Sequence, residues 1–565
     1  MNAMDSWLYG GDPLVNIKYE DRIEFLKKSI NTNHFEKLIE KYLLNNTHCS
    51  LLILKPEKGL SNKQDLELKD KLQKYKESLT DEELENIVNE TNNLIKIQST
   101  PDKEEDLEKI PLLNLDDIEK EVEKLDIKEV KLNDINILQY ETFTSNISYL
   151  TLAFDAKCIK EEDLPYYSLF TTLLGKLNTK NYDYKELANE ILINMGDLYF
   201  KNQSYTLEKD FNKYETLLEV ETKFMNYKTE KSLEIISEII ENTLFDDNKR
   251  IKEILRQLIS RIEMVFMQSG HKIGVARVSS YFSPSSYYTE KISGYDFYTF
   301  LKDLDNNFDE KIDFVKERFE VIRKDIFNKN NLKVFLTGQE KELEPLKKNI
   351  NKVYDVLNSC EVKKYEYSFT EEAKNEGLMI PSNVLYVAKG YNFKELGYDY
   401  KGSMLVLKTI LGYEYLWNRV RVQGGAYGAM SSMSRGGTMV FVSYRDPNLT
   451  QTLNAYDECY KFLEDINISQ REMTKYIIGT MSILDTPLNA SSKGAKAFGM
   501  YIKGLTNEDL QKERTEVLET KIEDIKSFAK IVKEVMEKDF LVVVGDDKKI
   551  KENKDIFNNL VNILN

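Results

Sequence analysis

The segment RVRVQGGAYGAM, Arg419 to Met430, places two arginines, a glycine pair and a tyrosine within one short stretch. It follows apolar residues that predict a buried helix from about Lys401 to Val420. Glycine tolerates backbone conformations that other residues avoid, so Gly424 and Gly425 are predicted to end the helix in a sharp turn. Such a turn can present neighbouring side chains to a ligand.

A permanent cation and a phenol stand on either side of this turn, at Arg421 and Tyr427. Both groups can donate hydrogen bonds to one oxygen, which makes them candidates for binding a carbonyl group. The pattern alone favours a structural interpretation. In that interpretation Arg419 and Arg421 offset the helix dipole, and Tyr427 is an ordinary strand residue.

A second candidate lies downstream, in SYRDPN, where a predicted strand ends. Asp446 and Pro447 predict a turn, and Asn448 or Thr450 is suited to cap the next helix. Arg445 is equally consistent with binding a carboxylate or carbonyl and with being a surface arginine at a strand end.

Composition narrows the class of protein. The length of 565 residues suggests roughly three to four domains. The net charge of -16 disfavours nucleic acid as a partner and weakly favours positively charged peptides. No apolar run approaches the roughly 18 residues of a membrane span.

The cysteines and the first residues suggest a compartment. Cys49, Cys158, Cys360 and Cys459 form no C-x-x-C pair and no disulfide framework, which favours a reducing compartment. The first residues lack the basic and apolar regions of a signal peptide. The expected location is therefore the cytoplasm.

Two long segments repeat the same order of elements. The first runs from the strand ISYLTLAF at Ile147 to the strand LKVFLTG ending at Gly338. The second runs from NVLYVAKGY near Val384 to FLVVVG ending at Gly545, and helices and a strand pair lie inside both. The prediction is two repeated α/β (α+β) domains, 126–345 and 346–565, each a sheet with helices.

The residues before the repeats are read as two further parts. In 1–60, an amphipathic helix from Asn33 to Leu44 is followed by SLLILKP, predicted as a strand that closes another such domain. Residues 61–125 are rich in charge and carry helical stripes and a Thr80–Glu83 capping box, which predicts a helical hairpin linker. The chain is therefore expected to begin within a domain, as the back half of a longer protein.

Motifs for catalysis are scarce. His34, His48 and His271 have no second histidine at helical spacing, so no local zinc motif is present and a structural role is expected for each. The sequence holds no nucleophile elbow and no phosphate-binding loop. The stretch SGHKIGVARVSSYFSP, 269–284, fits either a cavity lining or a strand with turns at each end.

Together, LWNRVRVQGGAYGAM and VSYRDPNLTQTL resemble the C-terminal half of presequence-protease-like zinc peptidases of the pitrilysin/insulinase family. SWLYGGDPL, SGHKIGVARVSSYFS and DTPLNASSKG agree, and the resemblance covers essentially the whole chain. It implies four similar α/β domains in two halves, joined by a helical hairpin and closing around an unfolded peptide. It also implies zinc in the N-terminal half, held by an H-x-x-E-H motif that this chain lacks.

The resemblance assigns roles residue by residue. Arg421 and Tyr427 match the arginine and tyrosine that reach the substrate, and are the expected catalytic residues. The expected substrate-binding residues are Gly424, Gly425, Ser443 and Arg445. No metal ligand is expected in this chain, which alone should bind no zinc and be inactive. The expected partners are the N-terminal half of the same polypeptide and unstructured peptides, without nucleic acid or membrane.

Two alternatives remain. Some relatives work as paired chains in which one chain lacks zinc and only binds substrate, so this chain is also consistent with a non-catalytic partner subunit. A truncated first domain argues against that reading. A purely structural helical scaffold fits the linker but not the strand-rich repeats.

Overall fold

The computed structural model describes residues 2–55, 57, 59–100, 103–107, 109–111 and 113–564, which fall into two compact units. The first unit, Met1–Ile110, is helical throughout its regular structure. Its helices are α1 Asn2–Trp7, α2 Glu20–Ser29, α3 His34–Ile39, α4 Leu60–Ser78, α5 Asp81–Ser99 and α6 Glu104–Leu107, with a π-helical turn at Glu40–Leu44 after α3.

The first unit confirms the predicted helices and corrects the predicted strand. The capping box before α5 is formed, because Thr80 Oγ1 accepts the Glu83 N–H and the Glu83 carboxylate accepts the Thr80 N–H. The strand predicted at SLLILKP is wrong: residues 50–55 have no regular structure, and Leu51 is 88% exposed. A strand needs a pairing partner, and the described part of this unit contains none. Pro56, predicted to end the strand, lies outside the described residues.

The second unit, Pro111–Asn565, contains two six-stranded mixed sheets. Sheet 1 is built from β1 Ile127–Leu132, β2 Ile135–Tyr140, β3 Ile147–Asp155, β4 Asp197–Thr206, β5 Tyr214–Met225 and β6 Leu332–Thr337. Sheet 2 is built from β7 Glu376–Ile380, β8 Leu385–Asn392, β9 Gly428–Met433, β10 Thr438–Tyr444, β11 Leu541–Asp546 and β12 Asn559–Asn562.

The two sheets confirm the predicted repeat of mixed α/β structure. Five strands of sheet 1 lie in the order β2-β6-β3-β5-β4, and five of sheet 2 in the order β7-β11-β8-β10-β9. In each sheet the first of these strands pairs with the second in parallel, and the other pairs are antiparallel. The sequence pattern identified the opening, hairpin and closing strands but missed β1, β2, β7 and β12.

Helices fill the connections of both repeats. They are α7 Leu164–Leu173, α8 Tyr184–Asn194, α9 Thr229–Asn242, α10 Asn248–Gln268, α11 Gly270–Ser279, α12 Pro284–Ser293, α13 Tyr295–Asn306, α14 Phe308–Ile326, α15 Glu340–Asn349, α16 Asn351–Tyr354, α17 Ser403–Ile410, α18 Thr450–Asp457, α19 Cys459–Asp465, α20 Gln470–Leu484, α21 Ala490–Lys503, α22 Asn507–Leu518, α23 Ile522–Glu537 and α24 Asp547–Glu552.

The repeats exchange one helix each, which the sequence reading did not anticipate. Helix α11, from the first repeat, packs against β8, β10 and β11 of sheet 2. Helix α21, from the second repeat, packs against sheet 1, where Phe498 stacks on Phe335 at 4.9 Å between ring centroids. Sheet 1 therefore has helices of its own repeat on one face and a helix of the other repeat on the opposite face.

Glycines make this exchange possible. A Cβ atom at Gly270 would lie 2.3 Å from the Tyr386 ring, and one at Gly494 would lie 1.8 Å from Thr337 Oγ1. The stretch 269–284 is thus mostly helix, and the strand considered for it is wrong. The glycines that suggested turns serve close contact between a helix and a sheet.

Candidate active site

The glycine turn ends a long helix whose last part is π-helical. Helix α17 continues into π-helical segments at Leu411–Tyr415 and Trp417–Val422. Two backbone bonds then close the turn, from the Gly425 N–H to the Arg421 carbonyl at 2.8 Å and from the Ala426 N–H to the Val420 carbonyl at 3.1 Å. π-Helical turns are rare and are found frequently at functional sites.

Both glycines are needed for this geometry. Gly425 has φ of +77°, in the left-handed region that other residues rarely adopt. A Cβ atom at Gly424 would lie 2.5 Å from the carbonyl oxygen of Val420. The prediction that the pair ends the helix sharply is confirmed.

The Arg421 guanidinium is held by a ring and not by a carboxylate. Its Cζ lies 3.8 Å from the centroid of the Trp417 ring and 5.8 Å from that of Tyr427. Stacking on an aromatic face fixes the orientation of a guanidinium while leaving its N–H groups free to donate. Since Arg421 forms no ion pair with any carboxylate that the structure describes, its charge is available to a ligand.

Tyr427 presents its hydroxyl to solvent from a fixed backbone. Its N–H donates to the Tyr444 carbonyl at 3.0 Å, which fastens it at the entry to β9. Its ring meets the Tyr444 ring edge-on, with centroids 6.0 Å apart, and the residue is 67% exposed. The structure therefore brings Arg421 and Tyr427 together on one surface.

A buried aspartate organises the neighbouring turn. Asp446 is fully buried and accepts hydrogen bonds from the Asn448 N–H at 2.9 Å and the Thr452 hydroxyl at 2.7 Å. Burial raises the pKa of this carboxyl, and these donors oppose the rise. The Asn448 side chain in turn donates to the Gly424 carbonyl, which ties this turn to the glycine turn.

The remaining sequence-derived candidates lie in different surroundings. Arg445 is exposed, adopts a left-handed φ of +50°, and lies with its Cζ 5.5 Å from the Tyr444 ring centroid. Ser443 is fully buried, and its hydroxyl accepts the Val387 N–H at 3.1 Å. That position of Ser443 supports the pairing of β8 with β10 and offers no surface to a substrate.

Sequence reasoning missed the residues that hold the site in place. Trp417 precedes Arg421 by four positions, the spacing that places two side chains on one face of a helix, and this was the available clue. Asp446 and Asn448 were assigned only to a turn, because their contact with Gly424 joins residues far apart in sequence.

The residues of this chain do not fit a zinc ion. Within the described ranges, no group of three or more histidine, cysteine, aspartate or glutamate side chains is arranged to hold a metal. The rings of His271 and Tyr444 lie edge-on, with centroids 4.8 Å apart, and His34 meets the rings of Phe25 and Phe35 in the same way. No helix of the described structure is long and apolar enough to cross a membrane.

Two family models match the chain. The model of the domain associated with subfamily C of the M16 peptidases matches residues 54–304, and the model of the "PreP C-terminal domain" matches residues 375–547. Presequence protease 1 of Arabidopsis thaliana, described as chloroplastic/mitochondrial, is 30% identical over 97% of this chain and 51% of its own length. The chain belongs to the presequence-protease-like peptidases of the pitrilysin family. Protein HypA of Clostridium perfringens is 42% identical over the whole chain and 58% of its own length.

The chain spans about half the length of these curated relatives, and the part it matches is of the C-terminal type. Among solved structures, the peptidase M16 inactive domain from Pseudomonas fluorescens has a TM-score of 0.54 and 15% identity, over 75% of this chain and 98% of that one. A conserved protein from Enterococcus faecalis V583 has a TM-score of 0.53 and 15% identity, over 75% of this chain and 99% of that one. These likenesses support the fold of the family.

Proposed function

We propose that this chain is the C-terminal half of a zinc metalloendopeptidase that degrades unstructured peptides, and that Arg421 and Tyr427 act on the substrate. The observation that carries the proposal is the pairing of an uncompensated guanidinium with an exposed phenol across the glycine turn. Zinc, together with the group that activates water, is proposed to lie in the N-terminal half, since the described residues of this chain offer no metal site.

The proposed chemistry of this chain is hydrogen bonding to the scissile carbonyl. As the carbonyl carbon is attacked, negative charge develops on its oxygen, and donors already in position stabilise that charge. The Tyr427 hydroxyl and the Arg421 N–H groups are the proposed donors. Gly425 lets the turn approach the substrate backbone closely, because it adds no side chain at that point. We retain Arg445 as a substrate-binding candidate on the same strand end and assign Ser443 to the fold.

The proposed partners and location follow from the same reading. The first unit exposes apolar residues, among them Trp7 at 61% and Leu52 at 78%, which supports an N-terminal half of the same polypeptide as their cover. Cys49, Cys158, Cys360 and Cys459 are all free, which supports a reducing compartment such as the cytoplasm. The domain divisions near residues 60, 125 and 345 remain predictions.

The test is Tyr427→Phe in the full-length protein. It removes one hydroxyl and keeps the ring, so kcat on an unstructured peptide should fall by about 10²–10³, the usual effect of losing one oxyanion donor. Arg421→Lys keeps the charge but loses the planar fork, and should also lower kcat. The matched control is Tyr413→Phe, because Tyr413 is also 67% exposed and lies in the same helical stretch.

Thermal melting checks that each variant folds. A well-folded Tyr427→Phe enzyme with the kcat of the Tyr413→Phe control would show that the tyrosine is structural. A second candidate function, a zinc-free partner subunit, is distinguished by the coding sequence upstream of Met1. An in-frame H-x-x-E-H motif there supports a single long peptidase, and its absence supports the subunit.

A further inference from the structure

A cavity of about 470 Å³ lies beside the candidate site, between α11, α12 and the β9–β10 hairpin. Helix α11 contributes one face to it, with residues at the helical spacing of three and four. β9 pairs only with β10 and is the edge strand of sheet 2. We call this cavity the hydroxyl groove; its lining includes Lys272, Ala276, Ser279, Thr289, Ser432 and Ser434.

The groove adjoins Tyr427 through a chain of rings. His271 lines the groove, and its ring meets the Tyr444 ring edge-on with centroids 4.8 Å apart. Tyr444 in turn contacts the Tyr427 ring at 6.0 Å. Since an extended peptide advances 3.3–3.6 Å per residue, the groove lies roughly three residues from a carbonyl bound at Tyr427.

The groove has the chemistry of a site for a polar chain with a negative charge. Ser279 is only 6% exposed, yet its hydroxyl has no hydrogen-bond partner among the described residues and borders the groove. A buried hydroxyl without a partner is costly, and a ligand that bonds to it removes the cost. Small side chains such as Ala276 leave room for a peptide backbone.

Lys272 supplies the single permanent charge among the groove's lining residues. It is exposed and forms no ion pair with any carboxylate that the structure describes. No carboxylate lines the groove, although acidic residues outnumber basic ones in the chain by 95 to 79. An unpaired cation in a groove free of carboxylates favours a carboxylate ligand.

We propose that the hydroxyl groove binds the substrate segment next to the cleaved bond, and that Lys272 selects a carboxylate there. The inference rests on the proposed function, because it takes the ligand to be a peptide substrate. The carboxylate belongs either to an acidic side chain or to the C-terminus of a peptide that ends in the groove. Lys272 is a specificity-determining residue in this proposal and takes no part in bond cleavage.

The test compares matched peptides on this chain. Fluorescence anisotropy measures the binding of an unstructured peptide with one glutamate, of its glutamine counterpart, and of both with free and amidated C-termini. A single exposed ion pair should favour the glutamate peptide by about fivefold at low salt. A preference for free over amidated C-termini, with no preference for glutamate, would identify the C-terminal carboxylate as the ligand.

Two variants sharpen the result. Lys272→Glu should abolish the preference and favour a lysine peptide instead, while Lys131→Glu, on the exposed side of β1 and without an ion pair, changes the net charge equally and should leave the preference intact. Ala276→Met should weaken all the peptides by narrowing the groove. Equal affinities of this chain for all four peptides, or no binding to any, would overturn the proposal.

Failure of the groove and failure of the proposed function are separable. If Tyr427→Phe lowers kcat while Lys272→Glu leaves the peptide preference unchanged, the groove assignment is wrong and the proposed function stands. If Lys272→Glu inverts the preference while Tyr427→Phe cleaves normally, peptide binding stands and the catalytic role of Tyr427 is wrong.

Discussion

Sheet 1 and sheet 2 share a strand order, and each is crossed by a helix from the other repeat, but the two crossings differ in what they cover. Helix α21 lies over sheet 1 and encloses Glu219, which is only 3% exposed. Helix α11 lies over β8, β10 and β11 of sheet 2 and leaves the hydroxyl groove open beside the edge strand β9. One crossing buries a charge, and the other leaves a surface for a ligand.

The difference shows where a repeated fold gains a function. Both crossings use glycine to bring a helix onto a sheet, so close packing is common to the two repeats. The turn that carries Arg421 and Tyr427 lies beside the open crossing only. The enclosed crossing is therefore expected to serve stability, and the open crossing to serve binding.

The largest expected effect separates the two crossings by their glycines. A Cβ atom at Gly494 would lie 1.8 Å from Thr337 Oγ1, whereas one at Gly274 would lie 3.2 Å from the Ala388 Cβ. Alanine in a helix is intrinsically better than glycine by about 1 kcal/mol, but overpacking a core costs about 1–3 kcal/mol or more. We expect Gly494→Ala to lose about 2–3 kcal/mol of unfolding free energy and Gly274→Ala to be nearly neutral.

Urea unfolding of the two variants and the parent chain measures this difference. The pair controls for helix propensity, since both positions lie inside helices. Equal losses at Gly494 and Gly274 would mean that the two crossings are packed with the same tolerance. The distinction drawn between them would then not hold.

The sequence predicted the repeated strands and the glycine turn, because both are encoded locally. Runs such as ISYLTLAF and FLVVVG are apolar and β-branched, and they form strands β3 and β11. The exchange of helices could not be predicted, since it joins residues such as Gly494 and Thr337 that are distant in the chain. The run at residues 50–55 has the same local pattern, but no partner strand is described beside it.

The candidate site divides in the same way. Arg421 and Tyr427 were identified from sequence, and the structure places them on one surface. Ser443 was grouped with them because it lies near Arg445 in sequence, but alternation along β10 turns its side chain into the interior. The hydroxyl groove arises from contacts between two repeats, so no single segment of sequence predicts it.

A second prediction concerns the enclosed crossing and its buried carboxyl. Burial raises the pKa of Glu219 to about 7; the hydrogen bond from the Tyr205 hydroxyl, at 2.7 Å, opposes the rise, and the neighbouring Glu221 adds to it. In the unfolded chain the pKa is near 4.5, so the folded state binds a proton more tightly. The stabilisation from this proton is complete below pH 4.5 and is lost as the pH rises to about 7.

Glu219→Gln keeps an acceptor for Tyr205 and removes the ionisation. We expect the variant to be more stable than the parent by about 1–2 kcal/mol at pH 8 and nearly equal to it at pH 4.5. Chemical unfolding at both pH values measures the difference. Glu215→Gln is the control, because Glu215 lies on the same strand and does not line the enclosed cavity. A constant difference between the two pH values would contradict the assigned pKa.

The smallest expected effect concerns the open crossing and has the opposite sign. Burial, and secondly the positive charge of Lys272, lower the pKa of His271 below its usual 6.5. The folded state therefore favours neutral His271, and the stability that it contributes is present above pH 6.5 and is lost as the pH falls through the lowered pKa. The direct measurement is an NMR titration of the imidazole, assigned with His271→Phe.

This titration also tests the groove, because a carboxylate bound at Lys272 would offset its charge. Adding the glutamate peptide should raise the pKa of His271 more than adding the glutamine peptide does. Lys272→Met should raise the pKa without any peptide, since it removes one of the two causes of the shift. If neither the variant nor the glutamate peptide moves the titration, Lys272 does not act on this ring, and the carboxylate lies elsewhere than the hydroxyl groove.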